Sequence, residues 1–360
     1  MRRLATKYLR PAMVLAREVS LGSAGRSLPA GTILSEEHID RLREQGTRAV
    51  LIEEPAVDDV EVRELVSADL KMRILDALRK AYDSVRKSSG SRGLLIHSAE
   101  YEALGDKLVR EVHRNREKEY CLAVSPSLAD YEYYHALNTA AVSLLIGMHR
   151  RYKPFLLQHL AVAALLHDVG NALLPPEIYE SPGELEGNEL EQVRQHPALG
   201  FQILKRSAFD TWVYAIVGQH HERWNGQGYP KGLVRDQVLE PARIVGIAEV
   251  YDALMADRPH RASLPPHLAV EYLLAESGNL FDHGLVQALA ESVPTYYVGS
   301  TVKLNTGEIG VVTGANVGLV ARPVVRVCWD SSGVAIAKPF EADMSVPPFL
   351  DYMITEAMDH

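Results

Sequence analysis

Along most of the chain, apolar residues recur at spacings of three and four. Leu70, Ile74, Leu78, Tyr82 and Val85 mark one face of an amphipathic helix that stops in KSSGSRG, and a second helix follows across Tyr101 to Val112. From Asp130 to about Ser292 the pattern is helix after helix, joined by loops rich in Pro, Gly and charge. The period changes at both ends. Short apolar stretches between residues 10 and 53 flank a helical piece, SEEHIDRLREQG, and lead into a strand-like AVLIEE. Ser35 suits the N-cap of that helix, and Glu36 and Glu37 suit its positive end. After Pro294, the runs VKL, IGVV and VVRVCW are separated by NTG, TGAN and SSG, the residues of tight turns. The expected fold class is mainly α: a central all-helical domain with a small β-rich N-terminal module and a small C-terminal β-domain. The divisions fall at 1–56 (β-rich module), 57–129 (connecting helices), 130–292 (helical domain) and 293–360 (β-domain).

Composition narrows the partners. With 360 residues, 47 % hydrophobic and 24 % charged, the chain is ordinary globular material for two or three domains. Lys and Arg number 38 against 47 Asp and Glu, a formal charge of −9, so no basic excess tracks a nucleic acid. Cys121 and Cys328 have neither paired spacing nor a CxxC, which supports no disulfide framework and no thiolate metal site. The most apolar stretch, FLLQHLAVAALL (Phe155 to Leu166), is far short of the roughly 20 residues that span a bilayer. Arg10, Arg17 and Glu18 interrupt the opening segment before a signal-type apolar region forms, so the expected location is cytoplasmic.

Histidines beside carboxylates carry the chemistry. His167 and Asp168 end the apolar helix AVAALLHDVGN, an adjacent imidazole and carboxylate able to bind one metal through nitrogen and bridge two through oxygen. HHERWNGQGYP places His220 and His221 together at the end of WVYAIVGQ; on a helix they point about 100° apart and can reach different metals. Glu222 there can orient an imidazole from behind. His135 and His196 lie on amphipathic segments, and Glu249 and Asp252 stand one turn apart on a helix face. Imidazoles and carboxylates without thiolates favour borderline or hard divalent metals such as iron or manganese in a two-metal site, with zinc left open.

These motifs resemble the HD-GYP branch of the HD phosphohydrolase superfamily, over about residues 130 to 290. The HD pair stands at His167-Asp168 and the GYP at Gly228-Tyr229-Pro230. The segment LRPAMVLAREV…LPAGTILSEEHIDRLREQG also resembles the small module that often precedes such domains. The resemblance implies a metal-dependent hydrolase of cyclic di-GMP, giving pGpG and in some members GMP. It implies metal ligands at His135, His167, Asp168, His196, His220, His221 and Glu249, with Asp168 bridging two ions. It further implies that Tyr229 meets the nucleotide and that Arg258 and Arg261 meet its phosphates.

Three positions depart from the family pattern. Asn171 stands where HDxGK has a lysine acting on the phosphate, and Glu249 stands where an aspartate is usual. Tyr131 replaces a glutamate that holds a third metal in some members. The alternatives are therefore a cyclic di-GMP receptor or adaptor that has lost turnover, and a phosphohydrolase of another nucleotide. A protein partner at the N-terminal module or the GYP loop is compatible with the sequence, which leaves the oligomeric state open.

Overall fold

The computed structural model describes residues 1–20, 27–45, 47, 49–87, 96–116, 120–123, 130–175, 187–256, 263–316, 319 and 321–359. The chain opens with β1 (Arg2–Ala5), β2 (Val19–Ser20), β3 (Ser27–Leu28), α1 (Glu36–Glu44) and β4 (Ala49–Ile52). β1 pairs antiparallel with β4 and β2 with β3. The Ser35 side chain accepts from His38 N at 3.2 Å and so caps α1. α1 closes a small core of its own, with Leu15, Leu34, Ile39, Leu42 and Ile52 buried together.

The helical body comprises α2 (Ala68–Lys87), α3 (Ser98–Asn115), α4 (Tyr131–His149), α5 (Pro154–Leu165), α6 (Gly187–Val193), α7 (His196–Arg206), α8 (Thr211–Val217), α9 (Glu240–Met255), α10 (Pro266–Ala275) and α11 (His283–Ser292). α2 buries Leu70, Ile74, Leu78, Tyr82 and Val85, the residues whose spacing marks it in the sequence. α4, α5 and α9 are apolar nearly all round, as the centre of a helical body requires, and α4 packs against both of the others. These three helices carry His135, His167-Asp168 and Glu249 into the core.

Five strands complete the chain: β5 (Thr301–Leu304), β6 (Ile309–Gly314), β7 (Val324–Trp329), β8 (Ala335–Asp343) and β9 (Ile354–Ala357). They form one antiparallel sheet in the order β8-β7-β6-β5-β9. The protein is thus mainly α, with small β modules at either end. The two modules meet: Ala5 N donates to Met358 O (2.9 Å), Thr301 Oγ1 to Arg3 O (2.8 Å), and the Arg2 guanidinium lies over Trp329. No helix among the described residues is long and apolar enough to cross a membrane.

Candidate metal centre

Three helices end where a histidine begins the site. The last carbonyls of a helix lack intrahelical partners and must find other donors. Here the imidazoles supply them: His167 Nδ1 lies 2.8 Å from Ala164 O, His196 Nδ1 2.8 Å from Val193 O, and His220 Nδ1 2.6 Å from Val217 O. A carbonyl only accepts, so each of these Nδ1 atoms carries a proton, and when the ring is neutral its Nε2 presents a lone pair. His135 reaches the same state through Asp252, whose Oδ2 is 2.7 Å from its Nδ1. Asn138 then holds Asp252 in place, donating to its other oxygen at 2.8 Å.

At His196 the sequence itself dictates the break. Pro197 has no N–H to give Val193 O and its ring opposes a continuous helix, so the amphipathic segment divides into α6 and α7 and the freed carbonyl takes the imidazole. Gly170 lets the turn after Asp168 lie directly on the start of α7. A Cβ there would sit 2.0 Å from His196 O.

The Nε2 atoms converge around Asp168. Its Oδ1 is 3.1 Å from His196 Nε2 and 3.9 Å from His220 Nε2, while its Oδ2 is 3.5 Å from His167 Nε2. Two overlapping donor groups result, Asp168 with His196, His220 and His221, and Asp168 with His135 and His167. Within each group the candidate ligand atoms lie within 4.8 Å of one another. A third group joins His167, His220 and Glu249. Glu249 Oε1 is 3.6 Å from His221 Nε2, and its Oε2 is buried with no hydrogen-bond partner.

Electrostatics follow from this crowding. Burial penalises ionised Asp168, but neighbouring His167, His196 and His220, with the hydrogen bond from His196, outweigh it and hold the carboxyl well below its ordinary range. Burial, then neighbouring His167 and His196, depress His220, and burial with His220, His196 and Arg223 depresses His221. Burial opposes protonation of His135 and His196 too, yet the hydrogen bonds and charges of Asp252 and Asp168 respectively raise both.

The donor set fits a divalent cation. His196 Nε2 and His220 Nε2 stand 3.2 Å apart, although both rings have committed their protons to carbonyls on the far side. With both Nδ1 protons already given away, the space between these two Nε2 atoms takes either one shared proton or a cation. The buried, unpartnered Nε2 of His167 and Oε2 of Glu249 call for the same partner. Imidazole and carboxylate donors suit a borderline or hard divalent ion.

Other expected residues fall as follows. His220 and His221 lie in the turn after α8, not on a helix with divergent directions: α8 stops at Val217, and the two rings, 4.4 Å apart, enter one donor group. The expectation that Glu222 orients an imidazole is corrected. Its two oxygens accept from Lys231 N (2.8 Å) and Leu233 N (2.9 Å), tying down the loop that follows Pro230. Tyr229 stacks on His221 at 4.6 Å between ring centroids and 23° between planes. Asn171 sits one turn past Asp168, its N donating to Asp168 O and its Oδ1 buried without a partner. Tyr131 stacks on His135 at 5.5 Å. Arg258 and Arg261 lie outside the described residues. Sequence reasoning missed Asn138, whose only signal is its place one turn beyond His135. It also missed the three carbonyls, since any residue offers one.

A helical body with imidazoles and a central carboxylate around one metal-binding locus is the HD architecture, and comparison with known proteins agrees. The family model described as "HD domain" matches residues 102–285, and one described as "KOW domain associated with HD domain" matches residues 301–358. The chain belongs to the HD domain family, and its HD and GYP motifs put it in the HD-GYP branch. A cyclic di-GMP phosphodiesterase of Pseudomonas aeruginosa is 30 % identical over 240 residues, 66 % of this chain and 58 % of that protein. The cyclic di-GMP phosphodiesterase response regulator RpfG of Xanthomonas campestris is 39 % identical over 130 residues, 36 % of this chain and 34 % of its own length. A 3'3'-cGAMP-specific phosphodiesterase of Vibrio cholerae is 37 % identical over 131 residues, 36 % of this chain and 25 % of its own length. The chain thus spans less than two thirds of each of these relatives.

Proposed function

We propose that this protein is a metal-dependent phosphodiesterase that hydrolyses cyclic di-GMP to pGpG. The observation that carries this reading is the division of Asp168 between two donor groups, one oxygen toward His196 and His220 and the other toward His167. That arrangement supports two ions with Asp168 as the bridge, and a thiolate-free donor set supports iron or manganese. His135, His167, His196, His220, His221 and Glu249 would hold them. When bound, the ions supply Lewis acidity toward water and the phosphate oxygens. The chain's part is to aim the Nε2 atoms of His135, His167, His196 and His220 inward, through the carbonyl and Asp252 contacts, and to hold the segment after the GYP motif through Glu222. Names of relatives that act on cyclic di-GMP support the substrate.

One observation favours a second reading, a nucleotide receptor without turnover. Asn171, at the turn beside Asp168, offers no positive charge to a phosphate, and its Oδ1 has no hydrogen-bond partner. Incubating the metal-loaded protein with cyclic di-GMP and separating nucleotides by chromatography distinguishes them. Appearance of pGpG supports the enzyme, binding without product supports the receptor, and hydrolysis of 3'3'-cGAMP alone reassigns the substrate.

A further inference from the structure

With Asn171 uncharged, no cation stands at that position, and Arg258 and Arg261 lie outside the described residues. Arg223 and Arg194 both bring positive charge to Tyr229. Arg223 is already used as a support: its Nη1 donates to His220 O (3.1 Å) and Glu222 O (3.2 Å), and its guanidinium lies over Phe281. Arg194 is held differently. It stands in the break between α6 and α7, two residues before His196, and its guanidinium carbon lies 5.7 Å from the centre of the Tyr229 ring. Its carboxylate partner is Glu191, at 3.1 Å, in a pair whose side chains are 45 % and 68 % exposed. Such solvated pairs are weak and exchange readily for a better anion.

Position decides which anion. The guanidinium rests on Tyr229, which in turn rests on His221, so Arg194 stands one ring outside the metal donors. A cyclic dinucleotide carries two phosphodiester groups, and when one occupies the metal locus the other must lie beside it. Resting on the phosphodiesterase reading above, we propose that Arg194 is a substrate-binding residue that holds the non-scissile phosphate of a cyclic dinucleotide. A guanidinium fork over this ring can give two parallel N–H donors to the non-bridging oxygens. This would also select dinucleotides over mononucleotides, since a single phosphate at the metals leaves Arg194 with nothing to hold.

The test is calorimetric titration of metal-loaded wild-type, Arg194→Ala and Arg194→Lys proteins with a slowly hydrolysed phosphorothioate analogue of cyclic di-GMP, and with GMP. Metal content is measured alongside. Arg194→Ala should bind the dinucleotide about 10- to 100-fold more weakly while its affinity for GMP falls much less, and metal content should hold. Arg194→Lys, which keeps the charge and loses the fork, should recover part of the loss. Unchanged dinucleotide affinity beside normal wild-type binding would overturn the assignment of Arg194 alone. Equal losses for both probes, or loss of metal, would show that Arg194 acts through Tyr229 and the ligands, and would overturn it too. Wild-type protein that loads metal yet binds no cyclic dinucleotide would overturn the phosphodiesterase reading and this proposal with it.

Discussion

Four of the five candidate ligand histidines commit an Nδ1 proton to a fixed acceptor, which turns their Nε2 atoms toward one another in the core. His167, His196 and His220 give their Nδ1 protons to helix-end carbonyls, and His135 to Asp252, so removing a support should release a ligand without deleting it. Asp252→Ala is expected to weaken metal binding about 10- to 100-fold, the usual cost of losing such a supporting contact, as read by competition with a chromogenic chelator. Unchanged affinity would mean that His135 needs no orientation. Asn171 and Glu249 test the departures from the family pattern. A donor that stabilises charge on a reacting oxygen is commonly worth about 10² to 10³ in rate. Asn171→Lys should therefore accelerate pGpG formation in single-turnover experiments at matched metal occupancy, and Glu249→Asp is its companion for the longer ligand arm. A wild-type rate already equal to that of Asn171→Lys would show that asparagine is no handicap.

Among the elements, the α5 end must approach the start of α7, and α9 the turn after α8, for these side chains to meet. Gly170 permits the first approach, with His196 O 2.0 Å from where a Cβ would be, and Gly246 the second, with His220 O at 2.3 Å. Because the obstacle is backbone in both cases, no side chain can yield. Gly170→Ala should cost about 1 to 3 kcal/mol of stability, the range for overpacking, and weaken metal binding at the same time. Thermal melting with and without metal checks both. α10 offers a pH test away from the metal. Burial, partly offset by Glu271 and Asp359, keeps His267 below the ordinary histidine pKa of 6.5, where it stacks on Tyr296. Below about pH 6.5 the unfolded chain takes up this proton more readily than the folded one, so stability is lost as pH falls and is fully present above that value. His267→Gln should flatten the fall in melting temperature between pH 7 and 5, and an unaltered slope would contradict the burial argument. The helices themselves were legible because periodicity is local: the spacing that marks α2 is the face it buries. His167, Asp168, His220 and His221 were legible for a similar reason, standing in short motifs of imidazoles and carboxylates, whereas His135, His196 and Glu249 were assigned as ligands only through the family resemblance. The Val193 carbonyl, Asn138 and Arg194 over Tyr229 were not legible, since their roles depend on where a helix breaks or what folds back from a distant segment.

At the scale of the whole molecule, the two ends of the chain join across one face. β1 meets the β5–β9 edge of the C-terminal sheet, and Arg326 of β7 binds both oxygens of Asp59, at 2.5 and 2.9 Å, and Glu341 at 2.7 Å. Contacts between residues some 300 positions apart leave no trace in local pattern, so the sequence reading separates two modules that the fold puts together. A cavity of about 880 Å³ lies at their junction with the helical body, lined among others by Asp59, Arg63, Tyr120, Pro294 and Arg326, and includes none of the candidate metal ligands. Arg326→Ala should raise hydrogen exchange along β1 and β7 and leave metal content unchanged. Coupled loss of metal would show that the junction governs the helical core. The central claim is that Asp168 joins two cation sites built from helix-end histidines, and elemental analysis of wild-type and Asp168→Ala proteins purified without chelator addresses it directly. The account predicts two divalent ions per wild-type chain and loss of most of that metal in the variant, with the helical circular dichroism signal retained. One ion or three in the wild type, or full retention in Asp168→Ala, would contradict it.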